Sequence, residues 1–234
     1  MLVNTTTTAP SLPYTLGLDI GMASVGWALL GEERILNLGV RAFDKAETEK
    51  GESNNLARRM ARILRRRIRR RAHRMVRLRR LFKREGVLPS DDPKHLGEVA
   101  ATPWELRAEG LNRPLQALEW AQVLHHIIKH RGFYVVRKSE EQTKDNEGLL
   151  AGVQDNRKRL AQGHYRTVGE MAWRDDKFAQ HKRNKGGAYT HTFAREHLAD
   201  EITMLFIAQR ELRNPHTHAD FEQAVLKILW DQRP

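Results

Sequence analysis

The sequence of 234 residues has no cysteine, and this and other absences narrow what the protein can be. Without cysteine neither a disulfide framework nor a thiolate metal site is possible, so we predict a reducing compartment such as the cytoplasm. No apolar stretch reaches the ~18 uncharged residues that a membrane-spanning helix needs, so we predict no membrane association. Residues 1–13 lack the basic and apolar regions of a secretory signal and are predicted to form a flexible leader.

The most informative absence is that of acidic residues in the segment 53–84. This segment holds fourteen arginines and one lysine but no aspartate or glutamate. These fifteen cations exceed the formal charge of the whole chain, +12, so the remainder is close to neutral. Basic charge confined to one segment predicts a dedicated polyanion-binding element.

Apolar residues recur through the arginine-rich segment at intervals of three and four, which predicts a helix. They are Leu56, Met60, Leu64, Ile68, Ala72, Met75 and Phe82. Ser53 or Asn54 can cap its start, and Gly86 suits the left-handed position after its end. A solvated basic face or a localisation tract is the plainer alternative, but both tolerate lysine and need no apolar stripe. Arginine favours phosphate, which its planar fork binds through two hydrogen bonds.

On either side of this helix the pattern changes. Upstream, apolar runs near residues 14–20, 24–30 and 34–40 are separated by turn signals and predict a three-stranded antiparallel meander. Downstream, residues 87–234 predict helices near 115–131, after a Thr167–Glu170 capping box, over 193–210 and after Asp220. The predicted fold class is therefore mainly α, with a small sheet that leaves one face and one edge uncovered.

Two kinds of side chain in the sequence are candidate metal ligands, an aspartate and a pair of histidines. Asp19 ends the first predicted strand just before Gly21, which suits either a divalent cation or an Asx-turn, and spacing alone favours the turn. His126 and His130 have zinc-ligand spacing, but no cysteine or nearby carboxylates complete a site, so positioning or structural roles are predicted.

Residues 17–28, GLDIGMASVGWA, resemble the opening motif of the nuclease domain in type II CRISPR RNA-guided DNA endonucleases. In that family a first strand block of a RuvC-like, ribonuclease-H-like domain is followed by an arginine-rich bridge helix and a helical recognition lobe, and this chain has the same order. Four further motifs resemble the compact type II-C branch, namely 102–107, 118–120, 126–133 and 183–193. The resemblance extends over residues 14–234.

The resemblance implies that the chain has four parts. It also implies that the chain stops within the fourth part, the recognition lobe. The four parts are a flexible leader at 1–13, a RuvC-like first segment at 14–50, a bridge helix at 51–86 and a partial recognition lobe at 87–234. The resemblance also implies that Asp19 is catalytic and helps to hold Mg²⁺, and that basic residues bind guide RNA. The implied RNA-binding residues are Arg58, Arg59, Arg62, Arg65, Arg66, Arg69, Arg70, Arg74, Arg77, Lys182, Arg183, Lys185 and Tyr189.

Several parts of that family are missing from the sequence: the second and third RuvC blocks, the HNH domain and the PAM-reading domain. We therefore expect the N-terminal portion of a bacterial antiviral DNA endonuclease that binds guide RNA (crRNA and tracrRNA) but does not cleave target DNA alone. One alternative is a binding module occupied by an acidic anti-CRISPR protein. Others are a sugar-kinase or actin-like ATPase fragment, which would need a second glycine-rich phosphate motif, and a basic ribosomal or architectural RNA-binding protein.

Overall fold

The computed structural model describes residues 13–21, 23–44, 52–134 and 144–231. The chain divides into two compact units, Met1–Arg66 and Arg67–Pro234. Within the described ranges no helix is both long and apolar enough to cross a membrane. Most of the predicted leader, residues 1–12, lies outside these ranges.

The first unit contains the predicted antiparallel meander. Strands β1 (Thr15–Ile20), β2 (Ser24–Leu30) and β3 (Ile35–Ala42) pair in the order β1-β2-β3. Trp27 of β2 lies against the backbone of Gly39, where an added Cβ would come within 2.7 Å of the indole ring. None of the described residues of the sheet is buried, and the side chain of Ile20 is 74% exposed. The predicted uncovered face is thus confirmed for these ranges.

The arginine-rich segment forms the single long helix α1 (Leu56–Arg84). Its start was predicted at Ser53 or Asn54, but the helix begins after Asn55, whose carbonyl accepts a hydrogen bond from the Arg59 amide at 2.9 Å. The Ser53 hydroxyl instead accepts a hydrogen bond from the amide of Asn55 at 3.4 Å. This bond lies in the turn that precedes the helix.

The end of α1 follows the sequence prediction. The amide of Val87 donates to the Phe82 carbonyl at 2.9 Å and that of Gly86 to the Lys83 carbonyl at 3.2 Å. This pair of bonds is a Schellman motif, and Gly86 adopts the required positive φ of 68°. The apolar face of the last turns of α1 is buried, with Leu78 and Phe82 fully inaccessible.

Six further α-helices are described in the second unit. They are α2 (Pro103–Glu109), α3 (Ala117–Lys129), α4 (Lys144–Gln162), α5 (Val168–Arg174), α6 (Arg195–Glu211) and α7 (Ala219–Trp230). Short 3-10 helices occur at Pro93–Gly97 and Asp176–Phe178. The structure confirms the mainly α fold class, whereas the sequence patterns did not predict α2 or α4.

An aromatic cluster joins α1 to the helical core. The ring of Phe82 meets Phe221 of α7 edge-on at 6.3 Å between centroids, and Phe221 meets Phe206 of α6 at 5.5 Å. Phe206 in turn packs on Trp120 of α3 at 4.9 Å. All four side chains are fully buried, and burial of each such side chain stabilises a fold by about 1.5–3 kcal/mol. The C-terminal half of α1 is therefore anchored in the core.

The start of α5 differs from the predicted capping box. The Thr167 hydroxyl accepts the Glu170 amide at 3.1 Å, as predicted. The Glu170 carboxylate, however, accepts from the backbone amide of Arg166 at 2.9 Å instead of from Thr167. It also pairs with the guanidinium groups of Arg166 and Arg174, which draw the carboxylate away from the usual reciprocal bond.

Candidate nucleic-acid interface

The N-terminal half of α1 is a continuous exposed cationic surface. Seven predicted RNA-binding arginines lie there and all are exposed. They are Arg58, Arg59, Arg62, Arg65, Arg66, Arg69 and Arg70. Among the residues that the structure describes, none of the seven forms an ion pair with an acidic side chain. Their charges are therefore available to a polyanion.

Arg74 and Arg77 differ from these seven because both have partners within the protein. The Arg74 Nε donates to the Ile128 carbonyl at 3.1 Å. Burial, and then Arg131 and Arg195, lower the pKa of Arg74 to about 10. Arg77 pairs with the carboxylate of Asp231. Any contact of these two arginines with RNA would have to share or replace these interactions.

Two adjoining hollows in the second unit, of about 910 and 450 Å³, bring Lys182 and Arg183 together with residues from distant parts of the chain. We call them together the basic cleft. Residues that line both hollows are Trp104, Lys129, His130, Lys182 and Arg183. Neither lining contains an aspartate or glutamate. The cleft therefore carries positive charge that no acidic lining residue neutralises.

Two histidines in the wall of the cleft, His125 and His130, are held neutral. Burial, then Arg183 and Arg71, lower the pKa of His130 to about 3. Burial, then Lys129 and Arg79, lower that of His125 to about 4. Because Arg71 belongs to α1, these shifts also indicate that the arginine helix contributes to the field at the cleft.

His126 lies between two guanidinium groups. Its Nδ1 is 3.3 Å from Arg107 Nη1, and its Nε2 is 3.2 Å from Arg183 Nη2. Burial first, and Arg107 second, lower its pKa far below the ordinary range. A neutral imidazole has only one acceptor nitrogen, so it can accept from one of the two arginines at a time. No group of three potential metal ligands occurs in the described ranges, His126 and His130 included.

Arg107, which contacts His126, also forms a buried ion pair with Glu201. Arg107 of α2 donates to Glu201 of α6 through Nε at 2.7 Å and Nη2 at 2.6 Å. The Gly169 amide donates to the same carboxylate at 3.1 Å, and an added Cβ at Gly169 would lie 2.3 Å from the Glu201 oxygen. The close approach of the Gly169 backbone to this carboxylate therefore requires a residue without a Cβ.

Lys185 and Tyr189, also predicted to bind RNA, lie outside the basic cleft. Lys185 is exposed beside Gly186 and Gly187, which both have positive φ. Tyr189 is half-buried, and its carbonyl would be 2.3 Å from a Cβ added at Gly152 of α4. Tyr189 therefore packs against α4 through close backbone contact.

Arg195, the first residue of α6, was missed by the sequence reasoning. It is only 5% exposed, and its guanidinium lies 4.9 Å from the Tyr134 ring centroid and 5.8 Å from that of Trp230. Its Nε and Nη1 have no hydrogen-bond partner among the described residues. Burial, and then Arg131, lower its pKa to about 10. No sequence periodicity marks this residue, because its neighbours come from distant parts of the chain.

Asp19 is exposed on β1 opposite Gly26. The β1–β2 turn is closed by the Gly21 amide, which donates to the Ser24 carbonyl at 2.9 Å. In the described ranges the Asp19 carboxylate accepts no hydrogen bond from that turn, so the Asx-turn role that spacing favoured is not observed. Nor do these ranges bring two further potential metal ligands to Asp19, so alone they do not fit a magnesium site.

Comparison with curated proteins shows similarity to one kind of nuclease. The chain is 33% identical over 93% of its length to the CRISPR-associated endonuclease Cas9 of Campylobacter jejuni, of which it covers 23%. It is 32% identical, again over 93%, to the CRISPR-associated endonuclease Cas9 1 of Streptococcus thermophilus, of which it covers 19%. The chain thus spans less than a quarter of the length of these relatives. No family model matches it.

Solved structures show the same similarity in three dimensions. A crystal structure of C. jejuni Cas9 with sgRNA and target DNA matches with a TM-score of 0.66 and 29% identity, covering 94% of this chain and 30% of that one. A cryo-EM structure of an St1Cas9–sgRNA–tDNA59–ntPAM complex matches with a TM-score of 0.63 and 29% identity, covering 95% and 26%. A related St1Cas9–sgRNA assembly also contains AcrIIA6, with a TM-score of 0.62.

Proposed function

This chain is homologous to the Cas9 endonucleases and has the fold of their N-terminal region, and on that premise we propose that it binds guide RNA. The observation that carries the proposal is the exposed half of α1, whose arginines have no acidic partner among the described residues. The similar C. jejuni structure contains sgRNA, which supports the same ligand class for this chain.

The physical basis is the match between guanidinium groups and phosphates. Each arginine can donate two parallel hydrogen bonds to phosphate oxygens. Repulsion between like charges three and four residues apart costs a few tenths of a kcal/mol for each pair, and a bound phosphate backbone relieves it. Binding by the seven exposed arginines would give a log–log salt slope of roughly −5 to −6.

The proposed domain assignment follows from the same homology. Residues 14–50 would be the first segment of a RuvC-like nuclease domain, residues 51–86 the bridge helix, and residues 87–234 part of the recognition lobe. Lys182, Arg183, Lys185 and Tyr189 would then bind RNA from the recognition lobe. Of these, Lys182 and Arg183 have the stronger structural support, because both line the acid-free basic cleft.

We further propose that the parent protein is a metal-dependent DNA endonuclease of bacterial antiviral defence that acts on target DNA. Asp19 would be one of its Mg²⁺ ligands. Since the described residues provide no cluster of ligands around Asp19, this chain alone is proposed to be inactive in cleavage. Cutting of matched DNA by the isolated chain with guide RNA and Mg²⁺ would refute that part of the proposal.

The experiment for RNA binding is fluorescence anisotropy of labelled guide RNA across a salt series. The expected result is saturable binding with the slope given above and a preference for the guide scaffold over random RNA of equal length. Equal affinity for both RNAs would favour the basic ribosomal or architectural protein. Binding of ATP without binding of guide RNA would favour the kinase-like or actin-like fragment.

An acidic protein partner is a second candidate, because an AcrIIA6 assembly is among the similar structures. That assembly contains sgRNA as well, so AcrIIA6 and sgRNA are present together in it. If an acidic anti-CRISPR protein occupied α1 of this chain, it would compete with guide RNA, and high salt would abolish the competition. Unchanged RNA affinity with the acidic protein bound would exclude that arrangement.

A further inference from the structure

We propose that the basic cleft takes one unpaired nucleotide of the bound RNA, with its base beside Trp104 and its phosphate on Lys182 and Arg183. This inference rests on the proposed RNA binding and adds to it a pocket for a base. Phosphate contacts alone would distinguish neither bases nor single strands from duplexes. A pocket for an unstacked base would give this chain a way to recognise a particular place in the RNA.

The dimensions of the cleft suit a single nucleotide. Its larger hollow, about 910 Å³, lies within the usual range of ~300–1,000 Å³ for small-molecule sites. The walls come from the 3-10 helix Pro93–Gly97, the start of α2, helix α3 and the loop at 179–183. Such a hollow can take one base, whereas the helix of a duplex could not enter it.

The charge of the lining selects an anion. Lys129, Lys182 and Arg183 line both hollows, and no acidic residue does. The ammonium group of Lys182 also lies 5.2 Å from the ring centroid of Trp173, and it donates to the Phe178 carbonyl at 3.2 Å. The wall also contains His125, His130 and the amide of Gln122 but no carboxylate, so an entering phosphate meets cations and no competing acidic group.

The wall of the larger hollow also offers aromatic and hydrogen-bonding groups for a base. Trp104 lines both hollows, and the Arg107 guanidinium lies 4.3 Å from its ring centroid. Gln122 donates from Nε2 to the Leu96 carbonyl at 3.5 Å, but its Oε1 has no hydrogen-bond partner in the described ranges. The same is true of His130 Nε2. Unpaired buried polar atoms are costly, and the edge of a base could satisfy them.

The surroundings favour RNA over a free nucleotide as the source. Arg74 of α1 donates from Nε to the Ile128 carbonyl at 3.1 Å, and Ile128 stands two residues before His130 in the wall of the cleft. A strand bound along Arg69 and Arg70 of the same unit would therefore pass near the cleft. A free nucleotide would draw on the cleft alone and gain nothing from α1.

The test compares the whole chain's affinity for three probes: single-stranded hexa-adenylate RNA, a hexameric ribose-phosphate strand without bases, and AMP. We expect hexa-adenylate to bind about tenfold tighter than the abasic strand, as stacking of one base on an aromatic side chain implies. Trp104→Leu should remove that preference while leaving the affinity for the abasic strand unchanged. Trp230→Leu is the matched control, since Trp230 is 38% exposed and lines neither hollow.

If Trp104→Leu does not fold, as circular dichroism would show, Gln122→Leu replaces it and should reduce the preference for hexa-adenylate severalfold. Equal affinity of the unmodified chain for both hexamers overturns the proposal, as does a preference that survives in the cleft variant. AMP binding lost in Trp104→Leu, without any base preference on the hexamers, overturns the assignment to RNA. Guide RNA that binds with the expected salt slope but without base preference leaves the proposed function intact and removes only the base pocket.

Discussion

Arg107 and Glu201 form a bidentate ion pair whose side chains are 1% and 0% exposed, and this pair joins α2 to α6. Removing one partner of such a pair leaves a buried charge without compensation, which typically costs about 3–5 kcal/mol. We expect Arg107→Met to lower the free energy of unfolding by about that amount in urea denaturation. The double variant Arg107→Met/Glu201→Leu should lose less than the single one, because it leaves no charge behind.

The matched control is the ion pair between Glu109 and Arg113, whose side chains are 41% and 39% exposed. Because water screens an exposed pair, Glu109→Gln should cost only about 0–1 kcal/mol. A loss in Arg107→Met no larger than this would show that the buried pair is not important for stability.

Gly169 tests the packing around the same carboxylate. An alanine Cβ there would lie 2.3 Å from Glu201 and 2.7 Å from Arg107, so the ion pair would have to move. Gly169→Ala should therefore destabilise the chain by about 1–3 kcal/mol, although alanine is the better helix former. Gly97→Ala is the control, since nothing lies within 4 Å of its added Cβ, and thermal unfolding compares the two. Higher stability of Gly169→Ala would contradict the observed close approach.

Stability should fall as the pH drops from 7 to 5. His125 and His130 have folded-state pKa values of about 4 and about 3, against an ordinary value of 6.5. Below pH 6.5 the unfolded chain therefore binds protons that the folded chain does not, so the stability present above that pH is progressively lost. Glu119 and Glu170, with pKa values lowered by arginine neighbours, add losses only below about pH 4.5.

Chemical denaturation at several pH values measures this slope. His130→Gln should flatten the slope between pH 6.5 and 5, because one suppressed protonation is removed. The exposed histidine His73 provides the control variant His73→Gln. A steeper or unchanged slope in His130→Gln would contradict the assigned cause.

Arginines in the exposed half of α1 should dominate the salt dependence of RNA binding. We expect Arg62→Gln/Arg66→Gln to weaken guide-RNA affinity and to reduce the log–log salt slope by about 1.5–2. Arg210→Gln is a suitable control, since Arg210 pairs with Glu222 on the helical unit instead of lying on α1. If the double variant and the control change the slope equally, α1 has no special role.

Local signals were enough to predict the parts of this fold that local physics determines. The meander follows from alternation and turns, and the end of α1 follows from the freedom of Gly86 to adopt positive φ. The start of α1 was misplaced because Ser53, Asn54 and Asn55 are all plausible caps, and only the folded backbone shows which residue precedes the helix.

The supporting parts of the candidate site could not be predicted in the same way. Arg107 and Glu201 are 94 residues apart in sequence, and neither stands out by spacing or composition. Glycine is a poor helix former, and only the folded structure shows that Gly169 leaves room for the Glu201 carboxylate. The family resemblance indicated Lys182 and Arg183. Tertiary packing, which the sequence does not show, places them in the same cleft as Trp104.

The contrast between the two halves of α1 has a consequence for proteolysis. Trypsin cleaves after arginine and lysine, and residues 58–71 offer it many exposed sites. Cleavage deeper in the helix would require the aromatic packing around Phe82 to come apart. Within α1, limited digestion should therefore stop near Arg74, and mass spectrometry can identify the first residue of the helix that remains. Bound RNA should move that first residue towards the N-terminus.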